Sequence, residues 1–448
     1  MKNILKLALP LTLSQLIGMA LVLTDVWMMS RISVADLAAG GLGASVYSFV
    51  FLVAGSIVGC VANLIAIAYG QSIARPEFGH QQIRFAVKGA VMLSLLLSMA
   101  LTFSFVFAPH LLIEAKQSPE VVAVAMQYLN ALKWAMLPTL LLLVLRGLTS
   151  TFGDVRSVMI MSIITVFINV PISYFMAFNL QWGIAGLGYG TALSAWIVLL
   201  GYGFWVFRQH KYQRFSPWTN TDEYSAKLLL PMLAMGSPIA LAALLEHGLI
   251  YGGTLMAGSI SVASLAIHQI MLQCLSFTWN VNFGFAQASA ILVGKEYGAN
   301  NFAGIKKIAS KSFIAVTILS LVIASAFAIW PEVIANLFQL DSGSSHELSN
   351  MLISVIWVVA LCFVVDAWQL LAINLLRGMK IVVVPTIMTA IGYWVFGLPA
   401  AWFLMKSYGL AGIWGGIGIG LGVTGILLLT VLIFETKRVC SIKLIPAV

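Results

Sequence analysis

Charge is what this chain has least of. Only 9% of its 448 residues are Asp, Glu, Lys or Arg, and 61% are hydrophobic; a soluble domain carries roughly a quarter charged residues. That balance excludes an ordinary soluble protein and indicates a chain threaded through a bilayer. Cysteine is scarce too. Cys60, Cys274, Cys362 and Cys440 are far apart with no CxxC pair, so neither a disulfide framework nor a zinc site is expected. The 6 histidines show no HxxxH or HExxH spacing, which argues against metal ligation. Clustered nucleophiles and diphosphate-binding motifs are missing, which argues against a membrane enzyme. A receptor would be expected to carry a soluble domain, whereas the longest polar interruption is only Arg208 to Lys227.

What the chain has is a succession of apolar runs. A spanning helix needs about 20 apolar residues, and twelve such segments are predicted at 4–30, 40–70, 84–108, 119–149, 156–178, 184–208, 229–257, 264–294, 310–331, 347–377, 381–405 and 409–434. The first run, Ile4 to Met29, is too long for the apolar core of a signal peptide and reads as a true span. The organisation predicted is an N-terminal six-helix bundle over 1–208, a cytoplasmic linker over 209–227 and a C-terminal six-helix bundle over 228–448. With the N-terminus in the cytoplasm, all but four of the 24 Lys and Arg residues fall on the cytoplasmic side, leaving Arg31, Lys116, Lys133 and Lys406 for the other. This is the positive-inside pattern. It turns the net charge of +9 into an orientation signal rather than a nucleic-acid footprint. It also predicts a multi-pass protein of the cell (inner or plasma) membrane with both termini cytoplasmic.

The chain repeats itself. "SVADLAA" at Ser33 returns as "SVASLAI" at Ser261, an offset of 228 positions, and the same offset pairs Pro10 with Pro238 and Pro171 with Pro399. "GIAGLGYG" at Gly183 returns as "GLAGIWGG" at Gly409, and "LRG" at Leu145 returns at Leu376. Because the offset spans an even number of helices, the copies share one orientation and form parallel repeats. The fold class expected is an all-α integral membrane protein of two parallel-repeat six-helix bundles. The glycine-rich "GIWGGIGIGLGVTG" of the last span is apolar throughout, so close helix packing is expected there rather than phosphate binding.

Of 15 acidic residues, Asp25, Glu246 and Asp366 fall deep within spans. Each costs roughly 2.5–3.5 kcal/mol at a helix centre, which licenses a functional reading. Asp25, in "LVLTDVWMM", lies about 22 Å along the helix from Pro10, where a missing backbone hydrogen bond lets the span bend. Ser14, Gly18, Leu21, Val22, Met28 and Met29 share its face. Asn169 and Ser173 share a face of span five and, with Thr191, could complete a polar cluster; polar residues that simply glue membrane helices together are the alternative.

These residues resemble the multidrug and toxic compound extrusion (MATE) transporters over nearly the whole chain. The likeness rests on "LALPLTLSQ" and "TDVWMMSRISVADLAA" in the first half. In the second it rests on "SPIALAALLEHG", "ASLAIHQI", "VVDAWQLLAINLLRG" and "YWVFGLPAAWFLM", which look most like the NorM branch. The resemblance implies two six-helix bundles arranged as a V, with no cofactor. It implies a monomer that exports amphipathic, often cationic organic compounds in exchange for H⁺ or Na⁺. Asp25 matches the family's first-helix acid, Glu246 that of helix seven, and Asp366 that of the "DAxQ" segment; Asn169, Ser173 and Thr191 match the cluster around the first acid. Ser173 stands where relatives often have Asp or Asn, and the loss of a strong oxygen ligand favours H⁺ over Na⁺ there. Cys362 replaces an aromatic near the second-half acids. The expected activity is drug/H⁺ antiport with Asp25 as the proton switch. Its alternatives are Na⁺ coupling through Glu246 and Asp366 as hard oxygen ligands and a lipid-linked precursor flippase, against which the acidic character of the buried charges argues.

Overall fold

The computed structural model describes residues 2–338 and 346–442; Lys443, counted above on the basic side, lies outside them. Apolar sequence in a bilayer must satisfy its backbone internally, and the described residues form helices and turns without a strand. In the first half these are α1 (Lys2–Ile32), α2 (Val34–Gly59), α3 (Val61–Ala74), α4 (Pro76–Ser104), α5 (Ala108–Glu114), α6 (Pro119–Leu132), α7 (Met136–Thr151), α8 (Val155–Tyr174), α9 (Gly183–Arg208) and the short α10 (His210–Gln213). The second half has α11 (Leu229–Ile260), α12 (Val262–Gly298), α13 (Phe302–Ile329), α14 (Pro331–Leu337), α15 (His346–Gly378), α16 (Val383–Ala390) and α17 (Leu398–Ile442). π-helical turns occupy Phe175–Asn179 and Ile391–Gly397.

Eleven helical stretches of the described residues are long and apolar enough to cross a membrane. The last of them, Val383–Arg438, breaks at Gly409, whose φ of 55° and ψ of −131° suit only a residue without a side chain. Beyond that turn Gly412 and Gly416 lie against the backbone of Leu404 and Ala401, so this stretch is a helical hairpin and the spans among the described residues number twelve. The first half repeats the device: Gly183 has φ 55°, and Gly186 and Gly190 lie against Ala177 and Ser173.

Other repeat-equivalent residues do the same local work. Ser33 caps α2 by accepting from the Asp36 amide at 2.9 Å, and Ser261 caps α12 by accepting from Ser264 at 3.0 Å. Both caps have extended backbone, with φ of −164° and −167°, as a serine N-cap requires. Pro10 and Pro238 lie inside α1 and α11.

The chain divides into two compact units, one of Leu13–Ala240 and one of Met1–Thr12 with Leu241–Val448. The boundaries fall inside α1 and α11. Thr12 accordingly donates to the Val281 carbonyl at 3.3 Å and fills the space beside Gly284. In the other unit Gly236 lies on Ile57, and the Cys60 thiol reaches the Met232 carbonyl at 3.6 Å.

The segment 209–227 is folded onto the first-half unit. Tyr212, 0% exposed, donates to Asp154 at 2.6 Å, and its ring meets Phe152 edge-on at 5.3 Å. Glu223 takes Arg84 Nη2 at 2.9 Å and Lys88 Nζ at 2.7 Å, while Lys88 also donates to the Asn220 carbonyl at 2.6 Å. Hydrogen bonds from Arg84, then Lys88, hold the Glu223 carboxyl down at about 2.

Candidate functional site

In the first-half unit three helices converge on one carboxyl. α1 carries half-buried Asp25, α8 carries buried Asn169 and Ser173 one turn apart, and α9 carries Thr191. Asn169 Nδ2 donates to Thr191 Oγ1 at 3.1 Å, and the Thr191 hydroxyl faces the Asp25 carboxyl. Asp25, Thr191 and Asn169 thus form a chain. Ser173 stands apart from it, under the close approach of Gly190. Asp25 Oδ1, Asn169 Oδ1 and Ser173 Oγ are each buried without a hydrogen-bond partner, an arrangement that is costly unless something else visits those oxygens. Among the described residues no basic side chain pairs with Asp25.

The face drawn for Asp25 from helical spacing splits. Met28 and Met29 are buried (0% and 1% exposed) in an apolar cluster with Tyr128 and Leu132, while Val22 is 61% exposed. The helix is packed on one side only, so an 18-residue wheel groups residues that meet different surroundings. Pro10 is not at the site; it lies in the first turns of α1, which belong to the other unit. Two tyrosines that carry no mark in the sequence also stand near. Tyr128, buried on α6, lies within electrostatic reach of Asp25, and Tyr47 on α2 faces Thr139.

In the second-half unit Glu246 on α11 and Asp366 on α15 lie close enough to repel one another. Around them stand Trp279, Gln369, Tyr393 and, at longer electrostatic range of Glu246, Arg377. Gln369 Oε1 and Tyr393 Oη are buried without hydrogen-bond partners. Tyr393 belongs to the π-helical turn, whose extra residue resets the helix face; such turns recur at functional sites. Arg377, assigned from sequence to the basic rim, therefore also lies within electrostatic reach of one member of the acid pair, Glu246. Cys362 stands one turn before Asp366, with its thiol 3.4 Å from the Trp414 carbonyl and only 3.0 Å from a Cβ built on Gly418. The last helix comes too near for an aromatic ring at that position.

Gly253 is the repeat partner of Asp25, and the His268 ring closes over it, 3.5 Å from a Cβ built there. His268 is fully buried: Nε2 is 3.2 Å from Thr254 Oγ1, the ring centroid is 5.3 Å from that of Trp414, and Nδ1 has no partner. The repeat partner of His268 is Gly40. The first half thus puts its ionisable group on the first helix of the pair and glycine on the second, and the second half does the reverse. In sequence His268 is simply the fifth residue of the span expected over 264–294.

Comparison with known proteins agrees with this doubled architecture. The MatE family model matches twice, over residues 10–175 and 238–403, with the same offset of 228 positions between the copies. Proteins designated multidrug resistance protein NorM are similar throughout. That of Mesorhizobium japonicum is 30% identical over 95% of this chain and 92% of its own length. That of Pseudomonas aeruginosa is 29% identical over 98% and 90%. Among solved structures, a MATE protein in a bent conformation superposes with a TM-score of 0.89 at 18% identity, over 99% of this chain and 97% of its own. A MOP superfamily transporter from Pyrococcus furiosus superposes at 0.88 and 20% identity, over 98% and 96%.

Proposed function

Because the chain belongs to the MatE family of membrane transporters, we propose that it extrudes amphipathic, often cationic organic compounds in exchange for protons. It is a multi-pass membrane protein and a secondary transporter, not an enzyme. The observation that carries proton coupling is the Asp25–Thr191–Asn169 chain, with its unpartnered oxygens and no basic partner among the described residues. An ionised carboxyl there attracts an organic cation or a proton, and the two compete. Protonation removes the charge that held the cation and rearranges the hydrogen bonds from Thr191 and Asn169. It thereby changes the packing of α1, which Pro10 lets bend. Ser173, a hydroxyl in place of a second carboxylate, leaves too weak an oxygen set for Na⁺ in this half. The family resemblance and the positive-inside charge pattern support a cell-membrane location with cytoplasmic termini and a monomeric unit of function.

Na⁺ coupling at the second-half acids is the alternative. It is favoured by one observation: the Glu246–Asp366 pair lies beside two unpartnered oxygens, of Gln369 and Tyr393, and a cation relieves both the repulsion and the missing hydrogen bonds. Ethidium efflux from proteoliposomes under an imposed ΔpH or ΔNa⁺ separates the readings. Asp25→Asn is expected to abolish efflux driven by ΔpH. Wild-type rates in that variant, or efflux driven only by ΔNa⁺, would refute proton coupling through Asp25.

A further inference from the structure

An apolar cavity of about 510 Å³ opens on the first-half unit and shares no residue with the Asp25 cluster. Its floor is Val87, Val144 and Leu148, at most 2% exposed, and its rim is Leu200, Phe204 and Trp218, each about two-thirds exposed. Among the described residues no charged side chain lines it. Its size falls in the range of small-molecule pockets, roughly 300–1,000 Å³. Close-packed protein leaves few spaces of this size unfilled. On a membrane-facing surface the medium available to fill one is the lipid tail.

The rim says which lipid. Pro217 and Trp218 belong to the segment that follows α9, so the cavity lies at that helix's basic end. The exposed Trp218 ring, edge-on to Phe207 at 5.0 Å, suits the interfacial zone where a headgroup meets its tails. Of the cations on neighbouring segments, Lys211 pairs with Asp154, and Arg84 and Lys88 with Glu223, while Arg214 lies against His80 and Phe215, which are not part of the lining. Arg208 is different. Its guanidinium sits 5.6 Å above the ring of Phe204, at the cavity mouth, and it has no ion pair among the described residues. An unneutralised guanidinium over an apolar slot selects an amphiphile with a negative head and repels the organic cations proposed as cargo.

We propose that this cavity holds one acyl chain of an anionic glycerophospholipid whose phosphate pairs with Arg208. The test is native mass spectrometry of the full chain, purified in detergent and equilibrated with phosphatidylglycerol or phosphatidylethanolamine. The wild type is expected to retain one phosphatidylglycerol in preference to phosphatidylethanolamine. Gly203→Leu fills the cavity: a Cβ at Gly203 meets only the Leu145 side chain, at 3.7 Å, so the helix accepts it, and the retained lipid is lost. Leu200→Trp at the exposed rim is a second block should the first variant fail to fold. Arg208→Gln is expected to lower the preference for phosphatidylglycerol roughly fivefold, the effect of one basic residue near an anionic headgroup. Equal retention of the two lipids by the wild type, or undiminished phosphatidylglycerol in a folded block variant, overturns the proposal. So does displacement of the lipid by ethidium.

Discussion

Glu223→Gln is the substitution with the most to say about how the first-half unit is held together. It keeps the side-chain shape and one acceptor oxygen but removes the negative charge that two cations share. Lys88 is then the exposed weakness. Its side chain is 0% exposed, and only neutral partners would remain for the ammonium: the Asn220 carbonyl at 2.6 Å, the Tyr224 ring at 5.4 Å and the amide oxygen of the new Gln. Breaking a buried ion pair by removing one partner costs about 3–5 kcal/mol. The 18% exposure of both Arg84 and Glu223 places this case near the lower figure. At about 2–4 °C per kcal/mol for a unit of this size, the unfolding midpoint should fall by roughly 6–12 °C. The pH dependence has a definite sign. The Glu223 carboxyl is depressed from 4.5 to about 2, so its contribution is complete above about pH 4.5 and is lost as the pH falls toward 2. Thermal unfolding followed by circular dichroism between pH 7 and pH 3 should therefore show the wild type converging on the variant in acid. Adding Lys88→Met to the variant should recover much of the loss, because no buried charge is then left alone. A midpoint within a degree of wild type at pH 7, or a gap that widens in acid, would refute this account.

Gly190→Ala should destabilise by about 1–3 kcal/mol, because a Cβ there lands 2.5 Å from Ser173 Cα; an unchanged midpoint would mean that α8 and α9 do not approach so closely. Gly409→Ala meets no neighbour within 4 Å, so its expected cost, about 1–3 kcal/mol, is backbone strain alone, and the same thermal assay reads it. Asp366→Asn removes a 3%-exposed carboxyl that has no ion pair among the described residues. The variant should unfold at a higher temperature at pH 8 while transporting ethidium more slowly; undiminished transport would take Asp366 out of the coupling machinery.

Spans, repeats and intramembrane acids could be read in the sequence because each leaves a one-dimensional trace: an apolar run, a fixed offset, a charge where charge is costly. Even the glycine-rich last span announced its tight packing, which Gly412 and Gly416 carry out. The surroundings of the acids left no such trace. Tyr128 and Tyr393 look like any aromatic in an apolar helix until the neighbouring helices fix which side faces inward. The π-helical turn at Ile391–Gly397 defeats the regular 3.6-residue period from which a face is drawn. Arg377 sits at the end of its helix, where a basic residue already satisfies the orientation rule, so its position carries no sign of a second role. His268 was hidden by a different cause. Its meaning comes from the glycine it covers, and that pairing is apparent only when both halves are seen folded.

The exchange of helix ends sets a timetable for synthesis. The Thr12 hydroxyl bonds a carbonyl 269 residues later in the chain. Ribosomes deliver roughly 5–20 residues each second, so the first turns of α1 wait on the order of tens of seconds for the residues they pack against. Leu13–Ala240, by contrast, can close as soon as the opening turns of α11 emerge. The opening turns of α1 are therefore made early and are among the last to find their places.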